Sequence, residues 1–242
     1  MPLTSAQDEI MRSKARFKVV AAGRRFGKSF LSMSLMGRVA RHPESNVWYV
    51  TTTYSAAKTI MWQPLKDKLR KIKWSQSFHE VAMQAHLVNG SVISLKGTNN
   101  PDSLRGIGLD YLVIDEAAHV EGLDELWTGL YPTLSTGGRC IALSTPNGVG
   151  NWFHQTYTDA EAGINDFFPT ILPWHVHPDR DQEWFEKETR NMSRRQIAQE
   201  LECNFNASGE TVIHPEDLER LVFSVKEPMY RTGFDRNLWL WE

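Results

Sequence analysis

Between positions 23 and 29 the chain reads Gly23, Arg24, Arg25, Phe26, Gly27, Lys28, Ser29, residue types suited to gripping a polyphosphate. The two glycines let the backbone turn tightly, so that successive N–H groups and the positive end of a following helix can surround a β-phosphate. Lys28 can then reach the β- and γ-phosphates, and the Ser29 hydroxyl can hold Mg²⁺. A plain glycine turn flanked by solvated arginines would leave the lysine and serine at the helix start unexplained.

A second pair, Asp115 and Glu116, closes the apolar run Tyr111, Leu112, Val113, Ile114. A strand of that kind ends at the carboxyl edge of a sheet, where open α/β sheets bind ligands. Neighbouring acids can divide the work: Asp115 binds Mg²⁺ through its water shell, and Glu116 orients and polarises an attacking water. Such a pair points to hydrolysis rather than nucleotide storage. Charge developing on a γ-phosphate calls for a cation besides Lys28. Arg24 and Arg25 stand in the loop and can act in cis, whereas Arg105, between Leu104 and Gly106, can project into a neighbouring subunit's site. Ser144 and Thr145 end the next apolar run, before Pro146, Asn147 and Gly148, and can sense the γ-phosphate. Gln7, supported by Ile10, can read adenine edges or simply be a solvated helix residue.

These groups need elements to position them. Thr4 or Ser5 can cap a helix through about Arg12, followed by a strand over 17–22 and a helix over 28–40 that ends before Pro43. Positions 46–52 read as a buried strand. Ser55 is expected to cap a helix carrying Ile60, Met61, Leu65 and Leu69 on one face. Asn89 and Gly90 between apolar runs predict a hairpin with a two-residue turn. Strands over 111–114 and 139–144 flank a helix near 123–134. Strands alternating with helices argue for an α/β fold with a mainly parallel central sheet flanked by helices. Prolines at 169, 173 and 178 then change the pattern, before amphipathic helices near 181–191 and 193–201. The expected divisions are a core over 1–165, a small helical lid over 166–230, and the start of an interdomain linker over 231–242.

Composition narrows the possibilities. A net charge of −2 and an apolar fraction of 41% suit a folded protein and argue against a uniformly basic nucleic-acid coat. Lys66, Lys68, Arg70, Lys71 and Lys73 gather positive charge at one helix end, as a DNA contact or as a solvated terminus. Two cysteines, Cys140 and Cys203, make no disulfide framework and suit a reducing compartment. No apolar stretch approaches a bilayer span, so no membrane partner is expected.

Taken together these residues resemble the ATPase part of a tailed-phage terminase large subunit, the motor that packages viral DNA. The resemblance covers most of the chain. Its carrying pieces are Gln7, the segment Gly23 to Ser29, Leu104-Arg105-Gly106, Asp115-Glu116, and Ser144 to Gly148. It implies a P-loop NTPase fold of the ASCE, RecA-like class, with ATP and Mg²⁺ as cofactors. The implied roles are adenine recognition by Gln7, phosphate and Mg²⁺ binding by Lys28 and Ser29, Mg²⁺ binding by Asp115, and water activation by Glu116. Ser144 and Thr145 couple hydrolysis to movement, Arg24 matches a loop arginine, and Arg105 a possible intersubunit finger. Implied partners are double-stranded viral DNA, a portal protein and a terminase small subunit. A homo-oligomeric ring, a pentamer, would form on the procapsid portal in the host cytoplasm. A complete subunit of this kind also carries an RNase H-type nuclease, which nothing after Trp241 supplies, so an isolated motor domain without nuclease activity is expected. The rival readings are a helicase-like or other remodelling ATPase, which needs a second motor lobe, and an ATP-binding assembly switch, against which Glu116 speaks.

Overall fold

Strand β1 (Phe17–Ala22) is buried at every position, which is what a strand covered on both faces of a parallel sheet requires. The same holds for β6 (Tyr111–Asp115), and β2 (Asn46–Thr51) and β7 (Arg139–Ser144) are buried beyond their first residues. With β3 (Ser75–His79), β4 (Gln84–Leu87), β5 (Val92–Gly97) and β8 (Phe167–Leu172) they form one eight-stranded sheet in the order β3-β4-β5-β2-β6-β7-β1-β8. Five neighbouring pairs are parallel, and β4 lies antiparallel to both β3 and β5. The computed structural model describes residues 3–99, 104 and 106–207, all within one compact unit, Met1–Gly209. Arg105 and the expected linker lie outside the described residues.

Side chains alternate between two cores, one on each face of the sheet. Val20, Ala22, Tyr111, Val113, Ile141 and Leu143 join the first, with apolar residues of α1 (Ser5–Arg12), α2 (Lys28–Val39) and α4 (Gln63–Lys71). Val19, Ala21, Leu112, Ile114, Cys140 and Ala142 join the second, with residues of α5 (Leu123–Leu130) and α6 (Trp152–Glu161). Helix starts follow local chemistry. Thr4 and Gln7 form a capping box at α1, Asn151 caps α6, Asp181 caps α7 (Gln182–Thr189), and Ser193 and Gln196 form a second box at α8 (Arg194–Glu200).

Four local expectations are corrected. Thr53, not Ser55, caps the helix after β2: its extended backbone lets Oγ1 accept the Ala56 N–H at 3.0 Å, while Ser55 already lies inside α3 (Tyr54–Ala57). That helix reaches α4 through a π turn at Lys58–Trp62. The hairpin turn is longer than two residues. Leu87 N–H bonds the Ser91 carbonyl, so Val88, Asn89 and Gly90 make the bend, and of these Gly90 alone takes a positive φ, +83°. Finally, β8 belongs to the sheet, in register with β1 from Phe17↔Phe167 to Ala22↔Leu172. An edge strand tolerates Pro169 because its open side needs no ladder bond.

Candidate nucleotide site

The sheet order seats β7 between β1 and β6. Ala21 pairs with Ser144, and Leu143 with Asp115, so the carboxyl ends of all three strands lie level. Gly23 to Ser29 leave β1 at that edge and enter α2, whose N-cap Gly27 has φ +89°. The N–H groups of Gly27, Lys28 and Ser29 therefore open the helix without intrahelical partners. The positive φ at Gly27 favours glycine there, and both positions are closely approached. A Cβ on Gly23 would stand 3.2 Å or less from the Glu200 and Leu201 carbonyl oxygens, and one on Gly27 would stand 2.8 Å from Gln7 Nε2.

Gln7 is buried against this loop. Its Nε2 donates to the Phe26 and Gly27 carbonyls at 3.0 and 3.3 Å, while Oε1 accepts the Thr4 N–H. The amide thus braces the loop from behind. Gly23 N–H donates to the Leu172 carbonyl and Arg24 N–H to the Glu200 carbonyl. Arg24 and Arg25 are exposed and border the cleft described below, and Arg25 Nη1 stands 3.6 Å from Glu188 Oε1.

Lys28 Nζ donates to Thr145 Oγ1 at 2.7 Å and lies 3.7 Å from Glu116 Oε1. Glu116 takes a left-handed backbone, φ 54°, a conformation that costs a side-chain-bearing residue energy and is retained where surroundings impose it. Its other oxygen stands 3.6 Å from His119 Nδ1. Asp115 is turned inward. Oδ2 accepts the Tyr49 O–H at 2.6 Å and Oδ1 accepts the Glu116 N–H at 3.0 Å. Burial, then the adjacent Glu116 charge, pushes the Asp115 carboxyl up to about 6, against the Tyr49 bond and the Lys28 charge, which hold it down. Ser144 donates its hydroxyl to the Thr145 carbonyl and is fully buried.

Arg24, Gly27, Lys28, Ser29, Glu116 and Thr145 line one open cleft of about 480 Å³. Open helix N–H groups, a lysine, two hydroxyls and a carboxylate facing one space suit a phosphate chain and a water beside it. A larger hollow of about 690 Å³ between α2 and α4 includes Met33, Leu65 and Ile72 and contains no carboxylate, so it does not share this chemistry.

A profile of the terminase large subunit, T4likevirus-type, N-terminal, matches residues 19–220. The chain belongs to this family. The terminase large subunit of Escherichia phage T5 is 31% identical over 199 residues, covering 79% of this chain and 44% of that protein. That of Thermus phage G20c is 28% identical, covering 85% and 48%. The chain thus spans under half the length of these curated relatives. Among solved structures, the large terminase ATPase domain of Thermus phage P74-26 superposes with a TM-score of 0.71 at 26% identity, covering 85% of this chain and 94% of that one. The terminase fold of the chain is therefore mixed α/β with a mostly parallel sheet, as the sequence pattern implied.

Some neighbours of the terminase cleft escaped sequence reading. Tyr49 sits mid-strand on β2, where an apolar run hides its hydroxyl. His119 follows Glu116 by one short turn, a spacing that offered a signal. Arg180 and Glu200 arrive from elements far along the chain. The basic helix end dissolves as a unit: Lys66 is buried, 2.7 Å from Glu80 Oε1 and over the Trp62 ring, and Arg70 lies over Phe78. His177 packs edge-on against Phe26 at 5.3 Å.

Proposed function

We propose that this chain binds ATP with Mg²⁺ and hydrolyses it, and that hydrolysis drives double-stranded DNA into a procapsid. The observation that carries this reading is the convergence on Lys28 of Thr145, at 2.7 Å, and Glu116, at 3.7 Å, from the ends of β7 and β6. The helix N–H groups and Lys28 receive the β- and γ-phosphates, and Lys28 exchanges its contacts with Thr145 and Glu116 for phosphate oxygens. Glu116 is then free to orient a water and accept its proton, with His119 steering the carboxylate. Arg24 or Arg25 supplies charge in cis and Arg105 in trans. When the γ-phosphate leaves, Thr145 regains Lys28, so the β7–α6 loop registers nucleotide state.

Ser29 and Asp115 fit Mg²⁺ as hard oxygen donors. The raised Asp115 carboxyl, held ready by Tyr49 and the Glu116 N–H, is a group whose ionisation a dication would favour. When bound, the ion neutralises phosphate charge. Gln7 reads the adenine while bracing the loop. The helical segment after β8 serves as a lid, and the whole subunit works as a ring on the portal in the host cytoplasm, with a small subunit.

ATP turnover with and without duplex DNA, at two salt concentrations, tests the proposal. Lys28→Ala is expected to lose nucleotide binding. Glu116→Gln is expected to keep binding and lose roughly 10²–10⁴-fold in turnover. Wild-type turnover by Glu116→Gln would overturn the assignment. Restoration of activity in mixtures of Lys28→Ala and Arg105→Ala subunits decides whether Arg105 acts across an interface.

A further inference from the structure

We propose that Arg180 is a positioning residue of the phosphate loop, fixing its shape from outside and tying nucleotide occupancy to α7. The proposal rests on the nucleotide reading above and assigns a role to a side chain that does not line the cleft.

Arg180 lies one residue before the α7 N-cap, Asp181. Its Nη2 donates to the Arg24 carbonyl at 3.1 Å. The guanidinium lies 4.4 Å from the Trp184 ring centre and 5.7 Å from that of Phe26. His177 packs edge-on against Phe26, so the loop's one aromatic ring is contacted by two residues of the β8–α7 connection. Arg24 is held at both of its backbone polar groups: Glu200 accepts its N–H at 2.7 Å, and Arg180 donates to its carbonyl. The next residue, Arg25, takes the left-handed region at φ 57°. Peptide orientation around Arg24 and Arg25 decides where the following N–H groups of Gly27 to Ser29 point, so this grip sets the aim of the phosphate cradle.

Stability alone is a poor account of an arginine here. Its Nη1 is buried without a partner among the described residues, and an unmade buried donor opposes folding. Burial presses its pKa down, and so does the nearby Arg25 charge, against Glu188, which raises it. What the position gains is a flat, forked cation that can stack and donate together, which lysine cannot do. Glu188, on the same helix, faces Arg25. Phosphate drawing Arg25 inward would remove that contact, leaving Arg180 as the side-chain link between the loop and α7.

The test uses the full chain as wild type, Arg180→Ala, Arg180→Lys and Trp184→Leu. It measures the Kd for a fluorescent ADP with Mg²⁺ and hydrogen exchange of amides 23–27 and 182–189. Arg180→Ala is expected to weaken binding about tenfold, the loss of one charge-assisted hydrogen bond. Amides 23–27 should exchange faster while β1 and β7 stay protected, and ADP should no longer slow exchange in α7. Arg180→Lys should restore little. If Arg180→Ala also loses protection in β1, Trp184→Leu decides: weaker binding with an intact β1 supports the role, and unchanged binding overturns it. Wild-type affinity and loop exchange in Arg180→Ala overturn it directly. A wild type that binds no nucleotide sinks the underlying reading instead, while loop exchange still reports whether Arg180 shapes the loop.

Discussion

Replacing Asp115 by asparagine should make the empty protein more stable at neutral pH, although the change removes a proposed metal ligand. Asp115 is 1% exposed, and burial together with Glu116 moves its pKa from 3.8 to about 6. Between about pH 4 and 6 the folded chain keeps a proton on Asp115 that the unfolded chain has released. Stability from this group therefore falls as pH rises through that window, and the whole penalty stands above it. A rise of about two units, at about 1.4 kcal/mol each, amounts to ~3 kcal/mol. Asn keeps an acceptor for Tyr49 or for the Glu116 N–H but turns its NH₂ toward the other, which returns about 1 kcal/mol. The net gain is ~2 kcal/mol, or roughly 4–8 °C in Tm for a domain of this size. Thermal unfolding of wild type and Asp115→Asn, at pH 7.5 and 4.5 without nucleotide or divalent ion, reads it. The variant should be more stable at pH 7.5, with most of the gain gone at pH 4.5. A variant less stable at pH 7.5, or equally favoured at both pH values, would refute the argument that a buried charge strains this site. ATP with Mg²⁺ should then stabilise wild type far more than the variant.

Other substitutions probe separate contacts. Tyr49→Phe removes the O–H donor 2.6 Å from Asp115 Oδ2 and should cost ~1–2 kcal/mol in urea unfolding at pH 7.5, less at pH 4.5 where the carboxyl is protonated. Gln7→Ala deletes the two bonds to the Phe26 and Gly27 carbonyls and half of the α1 capping box; the expectation is a loss of ~1–2 kcal/mol and faster exchange in the loop, with an unchanged loop counting against the brace. Lys66→Met should lower stability while leaving the salt slope of any DNA binding as in wild type, because its ammonium is committed to Glu80. A slope reduced by about one unit would mean that Lys66 reaches phosphate after all.

Legibility in the sequence followed the range of the forces involved. The loop from Gly23 to Ser29, the acids at the end of β6, and a cap at Thr4 or Ser5 were readable because backbone turns, helix starts and buried strands are written over a few adjacent residues. The helices at 182–189 and 194–200 were visible for the same reason. Strands β3 and β8 were not, since Ser75 to His79 and Phe167 to Leu172 are partly exposed edge segments whose patterns carry little periodicity. Among the site residues, Lys28, Glu116 and Thr145 were named by type and spacing. Their meeting depends on β7 entering between β1 and β6, a pairing that local sequence does not encode. Tyr49 beneath Asp115, Glu80 disarming Lys66, and Arg180 gripping the loop were likewise decided by tertiary structure alone. Each joins segments distant along the chain, where packing and buried hydrogen bonds choose the partner and no short motif announces it.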